Sequence, residues 1–302
     1  MSTATATVLE PVKVKRMSFA KWLKSLAWRH MIALLAIAFA LFPLIWMASA
    51  SFDRLGNISA QQLIPQYRGL DNYRRLFSNP EQPYWIWMRN SVLIASINAV
   101  VQLSIGATAA YALSRFRYKG RKATLLTILI VQMFPQLLAI TAFYVVLADL
   151  RQSIPFMDFG NPIALLVIFA GGALGVNAWM LKGFFDSIPS EIDESAKIDG
   201  ASHGQIYTRI ILPLALPMLS VVALLSFIGT MNEFLLTSVI LGGNQRSITL
   251  AVGMQQFIEQ NFDKNWGAFA AGALIATVPV MLLFIWLQKF VVSGLTAGSL
   301  KG

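Results

Sequence analysis

The distribution of polar and apolar positions divides the chain sharply. Six stretches carry no Asp, Glu, Lys or Arg: residues 31–52, 90–114, 123–148, 159–181, 210–232 and 266–288. Each is at least 22 residues long, against the roughly 20 needed to cross a hydrocarbon core of about 30 Å. In lipid the backbone must satisfy its own hydrogen bonds, so such stretches form helices. The pattern predicts an all-α membrane protein with six transmembrane helices, at about 31–52, 90–114, 123–148, 160–181, 213–240 and 266–288.

Between the fourth and fifth spans the pattern changes. Residues 187–212 hold Glu191, Asp193, Glu194, Lys197, Asp199 and Arg209 among small residues. Ser190 is placed to cap a helix, with Glu191 and Asp193 in the first turn, where acids favour the positive helix end. That helix runs to about Ile198, and Gly200 fits the left-handed position that ends a helix. Ser202, followed three residues later by Gln205, has the spacing of a capping box and opens a second helix. Ile206, Ile210 and Ile211 give it an apolar stripe, and Pro213 marks its end. The segment therefore predicts two short helices at a bend, tied to spans four and five.

Other punctuation falls inside or beside the spans. Pro135, in Met133-Phe134-Pro135, removes a backbone bond deep in span three and predicts a kink or break, either a packing adjustment or the wall of a pathway. Gly171 and Gly175 in span four have the small-xxx-small spacing that lets another helix approach closely. Residues 53–89, between spans one and two, hold Pro65, Pro80 and Pro83 and many aromatics. Tyr84, Trp85 and Trp87 fit an interfacial belt at the start of span two, with a partner surface as the other reading. No long internal repeat is visible, so the inverted-repeat layout of many secondary carriers is not supported. Ala48-Ser49-Ala50 has the form of a signal-peptide cleavage site. The apolar run before it exceeds the roughly 7 to 15 residues of such a signal, and span one is expected to stay.

Composition agrees with the pattern: of 302 residues 56% are hydrophobic and 13% charged, with a mean hydropathy of +0.62. The net charge of +10 could suggest nucleic acid, but the basic residues flank the spans. With a cytoplasmic N-terminus, 16 of the 24 Lys and Arg fall inside, so the positive-inside rule favours both termini, and the hairpin, in the cytoplasm. The basic arm that opens the chain fits a disordered segment or one lying on anionic headgroups. With no Cys, disulfides and thiolate metal sites are excluded, and His30 and His203 are too few and too far apart for a metal cluster. No Gly-x-x-x-x-Gly-Lys-Ser/Thr loop occurs, so the chain is not expected to hydrolyse ATP, and no nucleophile, base and orienting acid come together.

Polar residues inside the spans are the pathway candidates. Glu233 is the sole acid between residues 210 and 245, and a charge at bilayer depth costs about 2.5–3.5 kcal/mol on insertion scales, so it is expected to face protein or water. A salt bridge and a pathway role both remain open for it, as for Asn232. Ser91, Asn98 and Gln102 recur at helical spacing in span two and either line a path or bond a neighbouring helix.

For the hairpin, a helix-turn-helix suggests DNA, but the loop is tethered beside the bilayer and carries more acid than base, which DNA repels. An amphipathic loop lying on the membrane and a plug for a cytoplasmic partner remain. Here a resemblance becomes specific. Glu194-Ser195-Ala196-x-x-Asp199-Gly200-Ala201, with Ile210-x-Leu212-Pro213 following, resembles the "EAA" loop of permease subunits in bacterial binding-protein-dependent ABC importers. Ser195 stands where the motif usually has Ala. The stretches LDNYRRLF (70–77), QMFP (132–135), LAVGMQQ (250–256) and GLTAGSLKG (294–302) are similar to the second permease of maltose/maltodextrin importers.

The resemblance implies a type I importer permease fold in which Glu194, Ser195, Ala196, Asp199, Gly200, Ala201, Ile210, Leu212 and Pro213 form a coupling hairpin seated in a cleft of an ATPase. It implies a tail whose Thr296, Ala297, Gly298, Lys301 and Gly302 reach between ATPase subunits, and an outer loop at 242–265 facing a binding protein. The chain then divides into a cytoplasmic arm (1–29), a permease domain (30–293, with the coupling loop at 187–212) and a tail (294–302). Implied partners are a second, different permease, a homodimeric ABC ATPase, an extracytoplasmic sugar-binding protein and membrane lipid, without nucleic acid. No cofactor is expected on this chain, ATP and Mg belonging to the ATPase. Maltose or maltodextrins are the implied cargo, with trehalose, other oligosaccharides or glycerol phosphate as alternatives. An ion-coupled carrier would need ionisable residues on several spans, and a scaffold or sensor subunit would support no flux.

Overall fold

The computed structural model describes residues 25–54, 64, 68–259 and 265–299. Residues 1–24 of the expected arm, Pro65, residues 260–264 of the expected outer loop, and Lys301 and Gly302 of the tail lie outside the described residues. Among the described residues helices are the only extended regular elements, apart from an isolated antiparallel bridge between Asp53 and Arg68. The helices are α1 (Ala27–Phe52), α2 (Asp71–Ser78), α3 (Tyr84–Arg115), α4 (Arg121–Gln132), α5 (Gln136–Leu150), α6 (Pro162–Leu174), α7 (Val176–Ser187), α8 (Ser190–Ile198), α9 (His203–Leu214), α10 (Leu216–Asn232), α11 (Leu235–Leu241), α12 (Leu250–Glu259) and α13 (Trp266–Ser299). By length and composition α1, α3 and α13 can each cross a membrane alone, and the bent pairs α4–α5, α6–α7 and α9–α10 raise the total to as many as six.

The chain divides into two units, residues 1–47 and 48–302. In the first, α1 turns large apolar side chains outward on every side, among them Leu34, Leu35, Phe39 and Phe42, the pattern of a helix whose solvent is hydrocarbon. In the second, α3 is the spine, packed against α6, α7, α10 and α12. Two large apolar cores form around it. At the hairpin end, Tyr111, Phe185, Ile206 and Ile211 are buried together; at the far end, Tyr84, Trp87, Leu165, Ile240 and Phe257 are.

The far core corrects the expected aromatic belt. Trp85 is 57% exposed, but Tyr84 and Trp87 are buried at 1% and 0%. Trp87 Nε1 donates to the Gln245 carbonyl at 2.8 Å, and the Tyr84 hydroxyl donates to that of Gly272 at 2.7 Å. The loop before α12, α12 itself and α13 fold over this end of α3 and offer each ring apolar cover and a carbonyl for its polar handle. The approach is so close that a Cβ on Gly253 would lie 2.2 Å from the Trp87 ring. Asn72 of α2 ties in the chain after α1, donating to the carbonyls of Ser51 (3.0 Å) and Asp53 (2.7 Å).

Three of the expected spans are bent helix pairs. Span three breaks at Pro135, whose extended backbone (ψ 117°) starts α5. Span four tightens into a 3-10 turn at Gly172–Leu174 and bends by 40° into α7. The glycines sit at this bend, and only one of the two meets another helix as expected: a Cβ on Gly171 would meet nothing within 4 Å, while one on Gly175 would meet Gln132 of α4 and the Gly172 carbonyl. Span five bends by 79° at Ala215 and stops at Asn232, so the continuous helix expected over 213–240 is interrupted at Glu233 and Phe234.

Trp87→Ala is expected to destabilise the fold by about 3–5 kcal/mol, the range for truncating a buried aromatic, while Trp85→Ala leaves it unchanged. Thermal unfolding of detergent-purified protein checks this; equal melting temperatures for the two variants would contradict the assigned burial.

Candidate functional site

The hairpin forms as its local chemistry dictates. Gly200 adopts φ +82°, a left-handed conformation that costs other residues about 1–3 kcal/mol. There Ala201 N–H donates to the Ala196 carbonyl and Gly200 N–H to that of Lys197, the paired bonds of a glycine-terminated helix. The Ser202 hydroxyl accepts from Gln205 N–H at 3.3 Å and the Gln205 side chain accepts from Ser202 N–H at 2.8 Å, completing the capping box. One expectation needs correction. Ser190 is the first helical residue, with Pro189 at the cap position, and its side chain caps nothing; proline's fixed φ and missing N–H suit the entry to a helix. Pro213 marks the end of α9 to within one residue: the helix widens into a π turn at Tyr207–Ile211 and stops at Leu214. The proline falls in the first turn after that widening, where a missing N–H costs little.

A buried ion pair fastens the hairpin to the body. Arg115, the last residue of α3, puts Nε 2.7 Å from Asp193 Oδ2 on α8, with side chains only 11% and 6% exposed. The contact is electrostatic rather than a well-aligned hydrogen bond. Arg115 also donates to the Ile188 carbonyl at 3.0 Å and to Ser114 Oγ at 3.3 Å. Ser114 in turn donates to Asp186 at 2.7 Å, and Asp186 pairs with Lys182 on α7. Partial burial pushes the Asp186 carboxyl up, but hydrogen bonds from Lys182 and Ser114 outweigh it and hold the group below its ordinary value. Its contribution to stability is therefore complete above the unfolded carboxyl's range and is lost as pH falls through the folded value. Beneath these charges lies an apolar seat, where the Tyr111 ring packs 4.9 Å from Tyr207 and 5.8 Å from Phe116, with Phe116 edge-on to His203 at 5.2 Å.

The nine residues expected to couple divide between two faces. Ala196, Ala201 and Leu212 pack on the apolar seat and Ile210 is half-buried, while Glu194, Ser195, Asp199, Gly200 and Pro213 are exposed. Ile198, not among the expected residues, stands 87% exposed at the tip. The Ser195 hydroxyl donates to the Glu191 carbonyl at 2.8 Å, so the departure from Ala is satisfied within its own helix. Thr296, Ala297 and Gly298 fall in the last turns of α13.

The four pathway candidates are engaged with protein. Asn98 Nδ2 donates to Thr230 Oγ1 at 2.7 Å on α10. Gln102 bonds Phe169 on α6, Asn177 on α7 and Ser226 on α10. Asn232 is exposed and donates to the Ile228 carbonyl. Among the described residues Glu233 has no salt-bridge partner; its oxygens accept from the N–H groups of Leu236 and Thr237, both at 2.8 Å, capping α11 across the break. Sequence reasoning missed Arg115, Asn177 and Ser226. Arg115 is signalled only as the first charge after a long apolar run, and Asn177 and Ser226 only as single polar residues in such runs. Among the described residues no group of three or more His, Asp or Glu is placed to hold a metal.

Asp193→Ala is expected to leave Arg115 buried without its counter-charge, at a cost of about 3–5 kcal/mol, and to loosen α8. Limited trypsin digestion of the purified protein would then cleave faster at Lys197; wild-type rates would mean that the pair does not hold the hairpin.

The family model described as "Binding-protein-dependent transport system inner membrane component" matches residues 102–296. The chain is 42% identical over 288 residues to the maltodextrin transport system permease protein MdxG of Bacillus subtilis (strain 168), covering 94% of this chain and 99% of that one. It is 40% identical over 262 residues to the galactooligosaccharides transport system permease protein GanQ of the same organism (86% and 90% covered). It is 36% identical over 285 residues to the maltose/maltodextrin transport system permease protein MalG of Escherichia coli (strain K12) (90% and 95%). It shares its fold, at a TM-score of 0.70 and 23% identity over 91% of this chain and 99% of the other, with a chain of a bacterial ABC transporter involved in the import of the acidic polysaccharide alginate. The chain therefore belongs to the binding-protein-dependent transport system inner membrane components: it is a permease subunit of an ABC importer, a transport component of the inner membrane and not an enzyme.

Proposed function

We propose that this permease carries maltodextrin-type oligosaccharides, that it has six spans with both termini in the cytoplasm, and that the hairpin is gripped by a separate ATPase. The observation that carries the reading is the two-faced hairpin. Its inner face is fastened by Arg115–Asp193, and its outer face presents Glu194, Ser195, Ile198, Asp199 and Gly200. A loop lying on lipid would turn its apolar face outward; here most of that face is packed against α3 and α7, and from the polar rim of α8 Ile198 projects fully and Ile192 in part. Small residues and one apolar knob suit a groove on a protein.

The assembly would comprise a second, different permease, an ATPase homodimer holding ATP and Mg, and an extracytoplasmic binding protein. The outer loop at 242–265 would face that binding protein, and residues 296–302 would reach between the ATPase copies. The sugar class is supported by relatives named for maltodextrin and for galactooligosaccharides. Closure of the ATPase pair would drag the hairpin and, through its attachments, swing the spans between two access states. Asn98 and Gln102 then serve as interhelix bonds, while Asn232 and Glu233, beside the break in span five, are the candidates for the pathway wall.

Gly200→Val is expected to cut ATPase co-purification and uptake of labelled maltotriose in proteoliposomes at least ~10-fold, equivalent to about 1.4 kcal/mol, through backbone strain and added bulk. Gly200→Asn, which enters the left-handed region more readily, loses less. Wild-type binding and uptake in Gly200→Val would overturn the coupling role. If galactooligosaccharide but not maltotriose is taken up, the sugar assignment falls while the hairpin's role stands.

A further inference from the structure

Between the two large apolar cores of the second unit, beside a smaller apolar cluster of Ala95, Ala99, Phe227 and Met231, runs a set of polar residues. Asn98 and Gln102 of α3, Asn177 of α7, and Ser226 and Thr230 of α10 lie there in mutual hydrogen-bond contact. The set coincides with the bend in span four, where Gly175 departs from helical geometry (ψ −146°) after the 3-10 turn. Gln102 touches both sides of that bend. Its Nε2 donates to the Phe169 carbonyl, before the bend, at 3.3 Å; its Oε1 accepts from Asn177 Nδ2, after the bend, at 3.2 Å, and from Ser226 Oγ at 3.3 Å. Asn177 Nδ2 also donates to Ser226 Oγ at 2.9 Å.

Space around the bend is uneven: Cβ atoms at Gly171 and Gly172 would meet nothing within 4 Å, one at Gly175 would meet the Gln132 side chain of α4, and on the facing side a Cβ at Gly106 of α3 would lie 3.2 Å from the Ala173 carbonyl. α3 thus runs hard against the bend, as a fulcrum would. One turn along α3 from Gln102, Asn98 keeps its Oδ1 buried without a partner. Polar residues that merely glue helices are stable when fully paired; an unpaired acceptor beside a shared amide fits a network that pairs differently in another state.

We propose that Gln102 is a positioning residue for transport: it clamps span four at its present angle, and the hairpin-end half of that span swings about Gly172–Gly175 when the clamp releases. Two of its bonds go to the hairpin-end half and to α10, and a single one goes to Phe169, so the Phe169 contact is the one that opens. The proposal rests on the permease reading above and adds an internal joint to it, because motion of the hairpin then changes the shape of span four and not only its position.

The chain has no cysteine, so labels can be placed without background. Spin labels at Val167→Cys and Gly183→Cys, on either side of the bend, are read in the assembled importer, nucleotide-free and trapped with ATP and vanadate. The inter-label distance is expected to differ between the two states. Gln102→Met and Asn177→Ala are each expected to broaden the nucleotide-free distribution. Each should also lower maltotriose moved per ATP by about fivefold, the scale of one lost hydrogen bond, with ATPase co-purification unchanged. Ser104→Ala, whose hydroxyl bonds only within α3, is expected to change neither. A distance identical in both states of a wild-type importer that couples, or normal coupling in both variants, would overturn the joint. Failure of the wild-type chain to retain any ATPase would instead overturn the permease reading, and this proposal with it.

Discussion

The contact between Arg115 and Asp193 decides what the rest of the hairpin can do. Two opposite charges buried at 2.7 Å contribute little net stability over an apolar pair of the same shape, because both must be stripped of water. What they supply is placement. The last residue of α3 reaches one side of α8 and no other, so the polar rim at Glu194, Asp199 and Gly200 has one direction left to face. Through Ser114 and Asp186 the same charges extend to Lys182 on α7, so the ends of two spans and the hairpin share a single electrostatic knot. A force applied at the tip is delivered to α3 and α7 together.

Farther along those helices, the places where regular structure fails are the informative ones. A helix break at membrane depth leaves backbone groups without partners, and they must be satisfied by protein or water. Glu233 does this at one break, offering its carboxylate to two backbone N–H groups of α11. At another, Gln102 bridges the bend, donating to the Phe169 carbonyl on one side and accepting from the Asn177 side chain on the other. Neither residue acts as an isolated charge or amide in lipid; each exchanges the cost of its own polarity for that of an interrupted helix.

Local chemistry made much of this legible in advance. Charge-free runs of sufficient length predicted where helices lie, since bilayer thickness and backbone satisfaction leave few alternatives. The turn at Gly200 and the capping box at Ser202 and Gln205 were readable for the same reason: each is settled by residues within five positions of one another. The motif around Glu194–Ala201 marked the hairpin, but it did not separate Ala196 and Ala201, which seat it, from Glu194 and Asp199, which are presented.

Contacts between residues far apart in the chain were decided by the tertiary structure alone. Tyr84 and Trp87 have the composition of an interfacial belt, and only the folding of α12 and α13 across α3, more than 150 residues later in the chain, makes them core. Gly171 and Gly175 have the spacing of a packing motif, and only the tertiary structure shows that Gly175 meets Gln132 of α4 while Gly171 meets no neighbour. Arg115 and Asp193 each look like a solvated charge until α3 and α8 bring them together. By itself the sequence determined the helices, the turn and the family, because short-range physics and motif spacing suffice for those. Which polar residues are glue, which are caps and which face outward depends on who lies opposite, and no local pattern encodes that.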